Sequence, residues 1–238
     1  TLDRTGYCRV IRGEQRKDRF VARLFRPRVL HQGARLEIEH PSLTVLNMSE
    51  SLANMRFAVV DTETTGLSPA TCSMLQLGIV VVRGDGTIES QFSTYIKRRF
   101  WKPGRLGAHH IHGITRRKLR KGIPIHEAFD RLSTELKTAT FVAHNAKFDL
   151  GFLRAEAQQC GHPLVVHEPI CTLTLSRSLD PNKAHPHNLR QLAIRYGITD
   201  VPNHDALADA IVTARLLPIL LAKAGITDAG QLASIALK

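Results

Sequence analysis

The chain has 238 residues, and its 33 Lys and Arg against 21 Asp and Glu give a formal net charge of +12. Apolar residues make up 43% of it, which allows a sizeable core, and no apolar run approaches the roughly 20 residues needed to cross a bilayer. The composition therefore excludes a membrane-spanning protein, and the excess of cations favours a polyanionic partner such as nucleic acid over a membrane surface.

The four cysteines are too far apart in sequence to form a C-x-x-C pair; they are Cys8, Cys72, Cys160 and Cys171. This spacing predicts neither a zinc site nor a disulfide framework, and it fits a reducing, cytoplasmic location.

Residues 1–47 differ from the rest of the chain. They hold ten Lys and Arg and five Asp and Glu, and no helical or strand period persists through them. We interpret them as a basic N-terminal extension. Two explanations stay open: a segment that the main domain does not need, or a basic arm that touches nucleic acid.

Three strands are predicted next. Residues 57–60 form a short, fully apolar run, which is typical of a buried central strand. Residues 74–82 form a second candidate strand. The turn at Gly84-Asp85-Gly86 then returns the chain into a third strand over residues 88–96.

Helices and further strands alternate after this meander. Pro124 starts a helix whose apolar positions recur at helical spacing up to Leu136, and Gly161 ends another. The further predicted helices cover residues 148–160, 172–179, 188–196 and 206–224, and the further strands cover 141–143 and 164–166. This order predicts a mixed α/β domain over residues 55–224, followed by a short C-terminal helix or tail over 225–238.

Two acids follow the first predicted strand. Asp61 and Glu63 are two residues apart, so on an extended chain their side chains point the same way. Two carboxylates on one face repel each other unless a cation lies between them, and hard cations such as Mg²⁺ bind carboxylate oxygens. Taken alone, this pair favours the simpler explanation, a polar strand end with solvated acids.

Further acids strengthen the metal hypothesis. Asp149 follows a second buried strand, and ligands of α/β sheets gather where such strands end. His204 and Asp209 flank the start of the last long helix. Because five residues on one helix separate side chains by about 140°, His204 is expected in the loop before the helix, with Asn203 or Asp205 as the helix cap.

Four segments in this order resemble the motifs of the DEDDh exonucleases, most of all the epsilon proofreading subunit type of bacterial DNA polymerase III. The segments, in one-letter code, are VDTETTGL (residues 60–67), HGI (112–114), HNAKFD (144–149) and HDALAD (204–209). The resemblance implies a ribonuclease-H-like fold, a mixed β-sheet flanked by α-helices. It also implies hydrolysis of phosphodiester bonds from the 3′ end of DNA with two divalent cations, Mg²⁺ or Mn²⁺.

The resemblance also assigns roles to single residues. Asp61 would bridge the two metals, Glu63 and Asp209 would hold the one on the nucleophile side, and Asp149 would support the other. His204 would be the general base. The substrate-binding residues implied in the same way are Thr64, Thr65, Leu67, His112, Asn145 and Phe148.

The stretch over residues 97–121 contains ten Lys and Arg and no acid, with Phe100 and Trp101 interleaved. A solvated basic face would explain it, but a run this one-sided around His112 favours contact with a phosphate backbone.

Three functions remain open at this point. The first is a DNA exonuclease that proofreads with a DNA polymerase or acts alone in repair, and the second is an exoribonuclease. The third is a noncatalytic module that binds nucleic acid or a polymerase, which loss of a metal-binding acid would favour. All the acids are present, and the oligomeric state cannot be read from the sequence.

Overall fold

The structure is a computed structural model that describes residues 51–97, 106–107 and 109–237. The predicted extension over residues 1–47 lies outside the described residues, as does most of the first half of the basic stretch 97–121. No helix in the described ranges is both long enough and apolar enough to cross a membrane.

A five-stranded mixed sheet forms the centre of the domain, with the strand order β3-β2-β1-β4-β5. Strands β1 to β3 form an antiparallel meander, and β4 and β5 continue the sheet parallel to β1. Their bounds are β1 Arg56–Thr64, β2 Met74–Arg83, β3 Ile88–Tyr95, β4 Thr140–Ala143 and β5 Ile170–Cys171. The central position of β1 puts both of its faces in the protein interior.

Helices cover both faces of the sheet. Their bounds are α1 His109–His112, α2 Arg116–Arg120, α3 Ile125–Leu136, α4 Ala146–Cys160, α5 Thr172–Ser178, α6 Leu189–Arg195, α7 Ala206–Lys223 and α8 Ala229–Ser234. Helix α7 packs with α5 and α6 on one face, and α3 and α4 pack on the other. The predicted mixed α/β fold is confirmed.

The core has two main layers because side chains alternate along β1. Phe57 and Val59 are buried on the α7 side, whereas Val60 is buried on the side of α3 and α4. The remaining strands follow the same rule, and β2 is buried along almost its whole length.

Three of the predicted elements differ from the structure by more than one residue at an end. The first strand continues through the acids to Thr64, because residues 61–64 pair with β2. The helix predicted over 148–160 begins at Ala146. The strand predicted over 164–166 is wrong: those residues form no strand, and the neighbour of β4 is β5.

Candidate active site

Strand β1 presents its two acids to one side of the sheet. Asp61 and Glu63 share the face of β1 that is covered by α7. The register places Gly78 opposite Asp61 and Gln76 opposite Glu63. The acids therefore lie within the paired part of a rigid strand.

Asp149 reaches the same region from the other face. It lies in the first turn of α4 and is only 2% exposed. Its Oδ1 accepts hydrogen bonds from the backbone N–H of Thr62, at 3.1 Å, and from the Thr62 hydroxyl, at 2.8 Å. Asn145, directly before α4, has a left-handed backbone with φ 69°, a conformation that asparagine tolerates better than most residues. This turn aims the start of α4 at β1.

The start of α7 brings the remaining predicted residues together. Asp205 caps the helix, since its Oδ1 accepts from the backbone N–H groups of Leu207 and Ala208, and its Oδ2 accepts from Gln76 Nε2 at 2.9 Å. His204 precedes the helix in a left-handed conformation with φ 61°, as expected for a loop residue. This last hydrogen bond joins the N-terminus of α7 to β2, at the residue that lies opposite Glu63 in β1.

Gly78 sets how closely α7 approaches the sheet. A Cβ at this position would lie 2.3 Å from the carbonyl oxygen of Ala206 and 2.7 Å from the nitrogen of Leu207. Only a residue without a side chain allows this contact. It places the first turn of α7, with Asp209, beside Asp61.

Glu63, His204 and Asp209 form a cluster in which one ligand atom of each lies within 4.8 Å of the others. Glu63 is half-buried, Asp209 is buried and His204 is exposed. Asp209 Oδ1 accepts from the backbone N–H of Asn203 at 3.0 Å. The carboxylate oxygens of Glu63 and Asp209 suit a hard divalent cation, and the imidazole of His204 lies next to them.

The acids also perturb one another electrostatically. Burial, reinforced by the charges of Asp149 and Asp209, raises the pKa of Asp61 well above its usual range. Burial and the charge of Asp209 raise the pKa of Glu63 to about 7. Burial also raises the pKa of Asp149 to about 7, against the opposing effect of the Thr62 hydrogen bonds, and raises that of Asp209. In the described part of the chain, burial and the neighbouring charges therefore disfavour full ionisation of these acids.

The turn after β1 forms one rim of the site. The Thr64 hydroxyl donates to the carbonyl oxygen of Gly66, and the Thr65 hydroxyl accepts from the backbone N–H of Ser73. Both hydroxyls therefore serve the turn itself. Leu67 is 85% exposed at its tip.

His112 braces the neighbouring loop. Its Nδ1 accepts from the backbone N–H of Ile114 at 3.0 Å, so its Nε2 carries the proton and donates to the carbonyl oxygen of Leu106 at 3.2 Å. Burial lowers its pKa, which keeps the ring neutral. Because backbone groups occupy both ring nitrogens, the ring of His112 positions its own loop, and its predicted contact with substrate stays a prediction.

Asn145 is exposed at the start of α4, while Phe148 is half-buried with its ring 5.0 Å from that of Phe152. Sequence reasoning missed the supporting bonds from Thr62 and Gln76. The position of Thr62 between the two acids could have indicated its role from the sequence. Nothing in the sequence indicated the role of Gln76, because its partner Asp205 lies 129 positions away.

A family model described as exonuclease matches residues 58–217, which include every residue of the acidic site. The chain belongs to this family. The family is that of the DEDDh 3′–5′ exonucleases, hydrolytic nucleases that generally use divalent metals.

Curated relatives of this chain include DNA polymerases. The chain is 31% identical over 173 residues to the PolC-type DNA polymerase III of Streptococcus suis (strain 98HAH33), a match that covers 71% of this chain and 11% of that protein. The corresponding protein of Thermotoga petrophila is 31% identical over 201 residues, covering 82% and 14%. The chain thus spans only a small fraction of the length of these relatives.

Solved structures share the ribonuclease-H-like fold. Exonuclease X in complex with 5′-overhanging duplex DNA is 26% identical, with a TM-score of 0.57, and the match covers 76% of this chain and 98% of that one. The nuclease domain of 3′hExo, a DEDDh family member bound to rAMP, has a TM-score of 0.60 at 16% identity and covers 73% and 95%. The second likeness concerns the fold alone.

Proposed function

We propose that this exonuclease removes nucleotides from the 3′ end of DNA, with Asp61, Glu63, Asp149 and Asp209 as metal ligands and His204 as general base. The observation that carries the proposal is the convergence of these five residues from β1, α4 and the start of α7. The mutual perturbation of the acids supports it, because structural carboxylates with partners have lowered and not raised pKa values.

The donor set fits two divalent cations, Mg²⁺ or Mn²⁺. Carboxylate oxygens are the ligands that such cations prefer, and the buried acids need positive charge to ionise together. Asp61, whose pKa the charges of the neighbouring acids raise, would help to hold both cations. When bound, two cations clamp the scissile phosphate, activate water and stabilise the leaving oxygen.

The protein residues then move one proton. An imidazole can accept a proton at neutral pH, and exposed His204 can take it from the attacking water. The water oxygen forms a bond to phosphorus, the bond from phosphorus to the 3′ oxygen of the preceding nucleotide breaks, and that oxygen takes up a proton from solvent water. The products are a nucleoside 5′-monophosphate and a strand shortened by one nucleotide with a 3′ hydroxyl.

Substrate contacts are proposed for the rim. Leu67 is an exposed apolar side chain suited to packing on the terminal base, and exposed Asn145 offers an amide beside α4. Thr64 and Thr65 shape the turn that carries Leu67. His112 acts by holding its loop.

DNA is favoured over RNA by the relatives with the higher identity. The PolC-type polymerases are 31% identical and Exonuclease X, solved with duplex DNA, is 26% identical, whereas the 3′-exonuclease solved in specific recognition of a histone mRNA stem-loop is 14% identical. The PolC-type relatives also support a DNA polymerase as partner. RNA is the second candidate substrate, because 3′hExo shares the fold and was solved with rAMP.

A cleavage assay tests the proposal. The purified protein, 5′-labelled single-stranded DNA, a primer with a mismatched 3′ end and a matched RNA are combined with Mg²⁺, Mn²⁺ or EDTA. We expect stepwise release of mononucleotides from the 3′ end of DNA with either metal, faster than from RNA, and none with EDTA or with Asp61→Ala. Cleavage that survives chelation contradicts the metal mechanism, and faster cleavage of RNA contradicts the DNA preference.

A further inference from the structure

Helix α2 and the residue after it form an exposed basic surface beside the site. The surface consists of Arg116, Arg117, Lys118, Arg120 and Lys121. We propose that this basic surface binds the phosphate backbone of the substrate strand beyond its terminal nucleotide. The inference rests on the proposed function and adds a second binding region to the catalytic one.

The basic surface is held firmly by the fold. Leu119, in the middle of α2, is 1% exposed and packs with Ile114 and Leu75 in a small core of its own. Thr115 caps the helix by accepting from the backbone N–H of Lys118. A short basic helix in water would not persist alone, so this anchoring fixes the side chains on one rigid platform.

The loop after the helix is equally constrained. A Cβ on Gly122 would lie 2.0 Å from the carbonyl oxygen of Tyr95, and that oxygen accepts from the backbone N–H of Ile123. Lys118 Nζ lies 5.7 Å from the centre of the Tyr95 ring. The end of α2 is therefore attached to the end of β3.

Three cations of this surface have no acidic partner in the described part of the chain. Arg117, Arg120 and Lys121 form no ion pair with any described residue, whereas Arg56, Arg83 and other cations elsewhere pair with acids. These three cations lie within five residues of one another and repel each other, so the phosphates of a polyanion would relieve the repulsion.

The basic surface is linked to the site through the preceding loop. A Cβ on Gly107 would lie 1.7 Å from the carbonyl oxygen of Thr65, so this loop touches the rim of the site directly. His112 holds the same loop through Leu106 and is followed closely by α2. A strand with its end among the catalytic acids can continue over the loop to α2, where attraction offsets the repulsion between the acids and the phosphates.

Charge-neutralising variants test the proposal. We expect Arg117→Gln with Arg120→Gln to weaken binding of a 20-nucleotide single strand and to raise its KM, with kcat unchanged. The slope of log affinity against log salt should flatten by about 1.4, since each lost phosphate contact removes about 0.7. Across a fourfold change in salt, this corresponds to about a sevenfold change in relative affinity.

Two controls make the result specific. Lys137→Gln with Lys223→Gln removes the same charge from exposed positions at the end of α3 and the end of α7, and should leave the slope unchanged. Thymidine 5′-(4-nitrophenyl) phosphate has no strand to reach α2, so both variants should hydrolyse it as the wild type does. Parallel salt plots for wild type and the α2 variant, or an equal loss in the control variant, overturn the inference. A wild type that cleaves neither substrate with metal refutes the proposed function instead.

Discussion

Replacing Asp149 by Asn should stabilise the metal-free protein while abolishing cleavage. The amide oxygen of the new side chain can still accept both hydrogen bonds from Thr62, but the buried charge beside Asp61 is gone. The substitution therefore measures how much the buried charge lowers the free energy of unfolding, because the shape of the side chain and its hydrogen bonds are kept.

The magnitude follows from the pKa of Asp149, which is raised from 3.8 to about 7 in the folded protein. A carboxyl with a raised pKa stabilises the fold fully below the unfolded value, and this contribution is lost as the pH rises through the folded value. The gain in stability from Asp149→Asn is therefore small near pH 4, about 2 kcal/mol at pH 5 and about 4 kcal/mol at pH 8. At about 2–4 °C per kcal/mol for a domain of this size, the melting temperature at pH 8 should rise by roughly 10 °C.

Thermal and denaturant unfolding in EDTA at pH 5 and pH 8 measures this gain. Asp180→Asn is the control with the opposite sign, because hydrogen bonds from the backbone N–H groups of Ala184 and His185 lower the pKa of Asp180. Its neutralisation should destabilise the protein at pH 8. An Asp149→Asn protein that is less stable than wild type at pH 8, or a gain that does not change with pH, would refute the reasoning.

Two further substitutions probe the start of α7. His204→Ala should lower the single-turnover rate by about 10²–10⁴ with metal and strand binding retained, and an unchanged rate removes His204 from the role of base. Gly78→Ala should reduce both cleavage and stability, the latter by about 1–3 kcal/mol, because its Cβ would overlap the Ala206 carbonyl. Gly230→Ala in α8, where the added Cβ meets a side-chain oxygen at 3.3 Å, is its control in the same unfolding and cleavage assays, and equal losses in both variants would contradict this account.

The apolar patterns of the sequence were enough to predict β1, β2, α3 and α7, because each buries a regular set of side chains. The end of β1 was not predictable in the same way. Acids disfavour strands locally, yet Asp61 and Glu63 remain in the strand because β2 supplies hydrogen-bonding partners. The strand predicted over residues 164–166 failed for the converse reason, since an apolar run forms a strand only beside a partner, and β5 occupies that place.

The active site was likewise predictable from the sequence only in part. Motif spacing predicted which acids meet, but the bonds that orient them join residues distant in sequence, such as Thr62 to Asp149 and Gln76 to Asp205. The arrangement of His112 was hidden as well. The motif marks His112 as a functional residue. Only the structure shows that its ring forms hydrogen bonds with the backbone of Leu106 and Ile114.

Asp149 and Asp209 both lie in the first turn of a helix, so two helix N-termini point at the acids. The aligned peptide dipoles of a helix place about half a positive charge at its N-terminus. The two helices together thus supply about one positive charge to four carboxylates before any cation binds. Part of the counter-charge of the catalytic centre is therefore permanent and belongs to the backbone, and the remainder must come from ions that can exchange with the solvent.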